Sequence, residues 1–211
     1  MSETLARPMS KGARTRDRIL DIAETSVLAK GFAATSIEEI IAEAEITKSG
    51  FFYHFKDKTQ LARALMLRFI DTDEAIIDGL FARAQELTDD PLHAYLVGFR
   101  LLAEAMEEME EVHPGCMVSA IAYQARQFDD EVRMLARESM INWRVRFREM
   151  LEAIAAKYPP YTEVNLDALA DQASVLIEGG IVLAKVFEDQ KLLAEQILLH
   201  RTFIKAVFEP R

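Results

Sequence analysis

Apolar residues return every three or four positions along most of this chain, with polar residues between them. That spacing predicts a succession of amphipathic helices. A first helix over about 15–30 buries Ile19, Ile22, Ala23 and Val27 and ends at Gly31. Two short helices follow. Thr35 or Ser36 caps one, with Glu38 or Glu39 in its first turn and Ile37, Ile40 and Ile41 on its apolar face. Residues 42–45 run into a turn, Ile46 plugs the joint, and Thr47 caps a second short helix over 48–53. Asp57 caps a long helix reaching past Leu80, with Leu61, Leu65, Phe69 and Ile76 on its apolar side. Pro91, after Asp89 and Asp90, opens a helix that runs to about Val112. His113-Pro114-Gly115 breaks the chain before a short apolar helix over 116–124. Asp129 and Asp130 cap a long helix to about Lys157, and two last helices cover about 165–188 and 191–208. No strand pattern, repeat or low-complexity segment interrupts the series. The fold class is all-α, with about nine helices: a basic arm over 1–13, a three-helix unit over 14–58 and a larger helical domain over 59–211.

The two short helices with a tight break between them have the layout of a helix-turn-helix, whose second helix enters the major groove. That second helix exposes Lys48, Ser49, Tyr53 and His54 and has Gly50 on its surface. Hydroxyls, one Lys and a Gly suit close approach to a phosphate backbone. Residues 15–61 resemble the N-terminal domain of the TetR family of transcription regulators. The resemblance is carried by Thr15-Arg16, Ile19-Leu20, Ala23, Gly31-Phe32, Thr35-Ser36-Ile37, Ile40, Ala44, Thr47-Lys48, Tyr53-His54-Phe55, Lys58 and Leu61. In one respect the chain departs from the family pattern. The usual Gly falls on Ser49 and the usual Tyr on Phe52, which leaves Tyr53 as the nearest substitute hydroxyl.

The formal charge of −10 argues superficially against nucleic acid. Its distribution removes the objection. Residues 1–60 carry 9 Lys+Arg and 9 Asp+Glu, whereas residues 61–211 carry 16 and 26, so all the excess negative charge lies outside the helix-turn-helix. Arg7, Lys11, Arg14, Arg16 and Arg18 face only Glu3 and Asp17 in the first eighteen residues. DNA binding needs a local basic face, not a basic total. A single cysteine, Cys116, excludes an internal disulfide framework and fits a reducing cytoplasm. No apolar run is long enough to span a membrane, and the N-terminus lacks the apolar segment of a signal peptide.

From the residue chemistry and the resemblance, the DNA-contacting candidates are Arg16, Thr35, Ser36, Thr47, Lys48, Ser49, Gly50, Phe52, Tyr53, His54 and Lys58. Thr47 and Ser49 can donate to phosphates or base edges, and Lys48 can reach a phosphate or a guanine edge. Tyr53 and His54 suit phosphates. Lys58 opens the next helix, whose amides also favour a phosphate. Phe52 either packs on a thymine methyl or belongs to the small core. In the larger domain Phe99, Met106, His113, Cys116, Met117, Tyr123, Met140, Trp143 and Phe147 are candidates to line an effector pocket. Each taken singly also reads as core; together their flexible Met and aromatic surface suits a partly apolar small molecule. On the last two helices Leu176, Gly180, Ile181, Ala184, Ile197, His200, Phe203 and Ile204 form apolar stripes expected to pair two chains, as the resemblance also implies. No catalytic motif, cofactor loop or metal-ligand spacing is present. The expected function is a cytoplasmic, homodimeric, ligand-responsive regulator that binds a double-stranded operator, with a repressor favoured over an activator. The alternatives are an all-α small-molecule-binding or protein-interaction module, and a redox or electrophile sensor acting through Cys116.

Overall fold

The computed structural model describes residues 10–208, and among them nine α-helices account for the apolar periodicity. They are α1 (Lys11–Lys30), α2 (Ile37–Glu43), α3 (Lys48–His54), α4 (Lys58–Leu87), α5 (Pro91–Glu107), α6 (Met117–Tyr123), α7 (Asp130–Lys157), α8 (Leu166–Phe187) and α9 (Lys191–Phe208). The breaks fall where short polar side chains satisfy the first free amides of the next helix. Ser36 and Glu39 form a reciprocal capping box on α2. Thr47 caps α3 through Gly50 N, and Asp57 caps α4 through Gln60 N at 2.8 Å.

Two boundaries and one helix face differ from the sequence reading. The first helix begins at Lys11, because Ser10 Oγ accepts from Ala13 N at 3.2 Å and nucleates a polar turn that hydrophobic spacing cannot reveal. Residues 11–13, assigned to the basic arm, are therefore helical; residues 1–9 of that arm lie outside the described residues. The fifth helix stops at Glu107 instead of continuing to Val112. Its continuation would stack Glu108, Glu110 and Glu111 on the negative end of the helix dipole. On α4, Ile77 is buried and Ile76 exposed, since a 3.6-residue period drifts away from a strict four-residue count.

Two apolar cores form. The smaller joins Ile19, Ala23, Ile40, Phe51 and Phe55 of the first three helices to Leu61 and Leu65 of α4. It does not close with those residues alone: Met117 and Ile121 of α6, then Phe128 and Val132, complete it. Phe32 stacks on Phe128 with centroids 4.5 Å apart.

The larger core centres on an aromatic cluster of Phe81, Tyr95, Phe99 and Phe147. His200 is buried at its edge. Its Nδ1 lies 3.2 Å from Gln172 Oε1, a pure acceptor, so Nδ1 carries the proton and Nε2 accepts from the Tyr95 hydroxyl at 2.9 Å. Burial pushes the imidazole down to about 4, so it is neutral at pH 7.

The stripes expected to pair two chains are largely internal. Gly180, Ile181 and Ala184 of α8 and Ile197, His200 and Ile204 of α9 are buried within one chain, where α8 crosses α9. A Cβ on Gly180 would come 3.1 Å from Leu193 Cα, so the glycine permits this intrachain crossing. Leu176 is half-buried, and Phe203 is 44% exposed. Helix α8 is apolar on two faces, and period alone cannot say which face meets its own chain. The face left open carries Val175, Val182, Val186 and Phe187, continued by Leu199 and Phe203 of α9.

Removing the Tyr95 hydroxyl strands a buried imidazole nitrogen. Tyr95→Phe should lower the unfolding free energy by about 1–3 kcal/mol in urea denaturation at pH 7. An unchanged midpoint would mean that His200 Nε2 is satisfied otherwise.

Candidate DNA interface and effector cavity

Helix α3 is held from beneath by Phe51 and Phe55, both buried. That anchoring turns the intervening residues outward. Tyr53 is 83% exposed and Phe52 40% exposed, so Phe52 lies on the outer surface and not in the small core. Thr47, Lys48 and Ser49 are exposed at the start of the helix, and Gly50 and His54 are partly covered. Thr47 Oγ1 accepts from Gly50 N at 3.1 Å and lies 3.0 Å from Ser49 Oγ, so the two hydroxyls are pre-positioned side by side.

The α1 N-terminus reaches the far end of α3: a Cβ on Gly12 would sit 4.0 Å from His54 Cε1. Exposed Lys11, Arg14 and Arg16 therefore join Lys48 and Lys56 around α3. Arg16 lies over the Phe55 ring, 5.2 Å from its centroid. Lys56 was missed by motif matching because it sits between helices, outside any periodic pattern. The nearby acid Glu45 is paired with Arg18 at 3.4 Å.

Three candidates have internal work. Thr35 is buried; its hydroxyl donates to Gly31 O at 3.0 Å and meets Ser26 Oγ at 3.0 Å, so it braces the α1–α2 turn and does not face outward. Ser36 spends its acceptor on Glu39 N. Lys58 donates to Phe32 O at 2.5 Å and lies 4.4 Å from the Phe32 ring centroid, with burial pushing its pKa down.

Further along, α4, α7, α8 and the segment leading into α6 line a partly open cavity of about 80 Å³. Helix α4 supplies Phe69 and Asp73, and α7 supplies Met140 and Trp143. His113, Cys116 and Val118 form one wall; Ser174, Ile177, Glu178 and Ile181 of α8 form another. Four predicted pocket residues thus come together: His113, Cys116, Met140 and Trp143. The other five do not line it. Phe99 and Phe147 lie in the aromatic core, with Trp143 stacked edge-on to Phe147 at 5.5 Å. Met106 packs on that core, Met117 faces the small-domain core, and Tyr123 is 86% exposed. Asp73 and Glu178 were missed, because a carboxylate on a helix ordinarily reads as solvated. Another hollow lies at the far end of α4, beside Phe81, Gln85, Thr88 and Pro91, away from α6 and the 113–118 segment.

The cavity's polar groups are unusual. Asp73 Oδ2 accepts from Trp143 Nε1 at 2.8 Å, yet burial raises its pKa to about 6. Glu178 accepts from Ser119 Oγ of α6 at 2.6 Å. His113 Nδ1 accepts from Gly115 N at 3.2 Å, and burial pushes its pKa down, favouring the neutral ring. Burial, followed by the charge of Glu178, pushes the Cys116 thiol up to about 12. A thiol held protonated is a poor nucleophile, which disfavours the Cys116 sensor.

Residues 19–65 match the family model described as bacterial regulatory proteins, tetR family. Residues 91–196 match the C-terminal domain of LmrA/YxaF-like transcriptional regulators, and that match alone spans half the chain. The chain belongs to the TetR family. It is 24% identical over 195 residues to the HTH-type transcriptional regulator YxaF of Bacillus subtilis, covering 90% of this chain and 96% of that one. The transcriptional repressor KstR2 of Mycolicibacterium smegmatis is 31% identical over 101 residues, 46% of each chain. A TetR-family regulator from Agrobacterium tumefaciens superposes with a TM-score of 0.75 at 18% identity, covering 94% of this chain and all of that one. As a TetR-family protein this chain is a DNA-binding transcriptional regulator, and α2–α3 is its helix-turn-helix.

Two outcomes follow from the site geometry. Lys48→Ala should weaken duplex binding and lower the salt-dependence slope by about one, with an unchanged melting temperature. Thr35→Val should instead cost about 1–3 kcal/mol of stability and leave the salt slope intact. A reversed pattern in fluorescence-anisotropy titrations would misplace both residues.

Asp73 has its folded pKa raised to about 6 from 3.8. The folded state therefore holds its proton more tightly than the unfolded chain, and stability is lost as pH rises from about 4 to about 6. Asp73→Asn should be more stable than the parent by roughly 1–3 kcal/mol at pH 7.5, and the gain should vanish below about pH 4. Chemical denaturation at both pH values checks this; a pH-independent difference would contradict it.

Proposed function

We propose that this protein is a homodimeric repressor released from its operator by a small molecule bound in the α4–α7–α8 cavity. One observation carries the reading: the elements that line the cavity also support α3. Helix α4 contributes Asp73 to the cavity and begins at Lys58, fifteen residues earlier, or roughly 22 Å along the helix. The segment supplying His113 and Cys116 continues into α6, whose Met117 and Ile121 lie in the small-domain core. At its end Gln124 Oε1 accepts from Ala33 N at 3.0 Å, in the α1–α2 turn.

The tightness of the cavity favours coupling. An apolar cavity that takes a single benzene ring measures about 150 Å³. At about 80 Å³ the space between the walls is smaller than that, so an occupant of ring size seated fully between them presses on those walls. Two walls, α4 and the 113–118 segment, lead to the helix-turn-helix. The ligand shifts the balance of DNA-binding and non-binding states by its differential affinity for them, on the order of 1–3 kcal/mol. The repressor sense agrees with the name of the KstR2 relative.

Dimerisation is assigned to the open apolar face of α8 and α9, with Val182, Val186 and Phe187 at its centre. Pairing through this face gives the two-fold symmetry that a palindromic operator requires. Phe187→Glu should leave the melting temperature of the isolated fold nearly unchanged, because the side chain is exposed, while converting dimer to monomer. Gly180→Leu should unfold the chain outright by forcing α8 off α9. Light scattering with thermal melts separates the two; a Phe187→Glu dimer that still binds a palindromic duplex selected from a random pool sinks this interface.

A further inference from the structure

The cavity is largely apolar, with one acid from each of two elements. Asp73 enters from α4 and Glu178 from α8, between the apolar surfaces of Phe69, Ile177 and Trp143. Among the described residues no Lys or Arg lines it. Three nearby cations are already engaged. Arg144, in the adjoining hollow that shares Glu178 and also holds Arg137, pairs with Asp171 at 2.7 Å. Arg146, which acts on Asp73, pairs with Asp78 at 2.8 Å. Lys185, which acts on His113, donates to Pro114 O at 2.6 Å and Leu28 O at 3.3 Å. His113 uses Nδ1 as an acceptor, as a neutral imidazole does. Among the described residues, only Trp143 Nε1 hydrogen-bonds Asp73, and it does so through one oxygen. A carboxylate pair sharing a low-dielectric space with no lining counter-charge repels anions and is relieved by a cation.

We infer that the cavity selects a small lipophilic cation, a protonated aryl- or alkylamine whose ammonium sits between Asp73 and Glu178 and whose apolar body lies against Phe69, Trp143 and Ile177. The inference rests on the reading of this cavity as the effector site. It also supplies a route for the signal. Glu178 holds Ser119 of α6 at 2.6 Å, so an ammonium that draws the Glu178 carboxylate inward competes with that bond. Helix α6 then loses one of its anchors to α8, at the element that braces the α1–α2 turn.

Trp143 is the one tryptophan of the chain, so its fluorescence reports the cavity directly. The full-length protein is titrated with three probes of similar shape: phenethylamine, phenethyl alcohol and hydrocinnamate. Phenethylamine should bind about tenfold or more tighter than the alcohol, as expected of one charge-assisted contact in a partly buried site, and hydrocinnamate should bind weakest. Asp73→Asn and Glu178→Gln keep an oxygen to accept from Trp143 and Ser119, and each should erase most of the amine preference while leaving alcohol binding in place. Thermal melts of both variants establish that they fold. Equal affinity for amine and alcohol, tighter binding of hydrocinnamate, absence of amine binding up to millimolar concentration, or an amine preference that survives both substitutions each overturns the inference. The effector reading is scored separately, by release of a pool-selected duplex. An amine that binds selectively yet leaves the duplex bound supports the cation class and defeats the effector reading. A neutral probe that binds as well as the amine and releases the duplex does the reverse.

Discussion

One face of α6 is buried in a core that belongs mostly to another part of the chain, and the rest of the molecule is organised around that debt. Three short helices offer too little apolar surface to close a core alone. Met117 and Ile121 of α6, with Phe128 and Val132 beyond it, fill the gap. Lys58 adds a polar clasp on the Phe32 carbonyl, and Arg68 of α4 holds Asp21 of α1 at 2.6 Å. The helix-turn-helix is therefore not an independent bead on a string. Its orientation is set by α4 and α6, and both run on into the larger domain.

The same two elements wall the cavity, which makes its chemistry consequential. Burying Asp73 with a single indole N–H as partner is unfavourable for stability, and its pKa of about 6 reflects that. Strain of this kind gathers where a protein binds something. A purely structural wall would be better served by Asn or Leu at that position. Cys116 shows the opposite case. Its surroundings hold the thiol protonated, so proximity to the cavity does not make it reactive.

Helices α8 and α9 illustrate how packing chooses between faces of equal appearance. Gly180 lies against Leu193 in the same chain, whereas Gly179, its neighbour, has open space around it. The intrachain crossing consumes the side bearing Ile181, Ile197 and Ile204. Val182, Val186 and Phe187 are left exposed on the other side.

Much was legible without coordinates. Helix number and type came from period and caps, because both are local: an Asp or Ser at a break satisfies amides three residues away, whatever the tertiary context. The helix-turn-helix was legible for the same reason, since its elements lie within a few turns of one another. Only the tertiary structure decided what depends on contacts between distant segments. It turned Thr35 inward onto Gly31 and left Phe52 outside. It also drew Asp73, His113, Trp143 and Glu178 from four separate segments into one cavity, and put Phe99, Met117 and Tyr123 elsewhere. A side chain's type states what it can do. Which neighbours it meets is set by helix crossings, and those are fixed by the fit of whole surfaces.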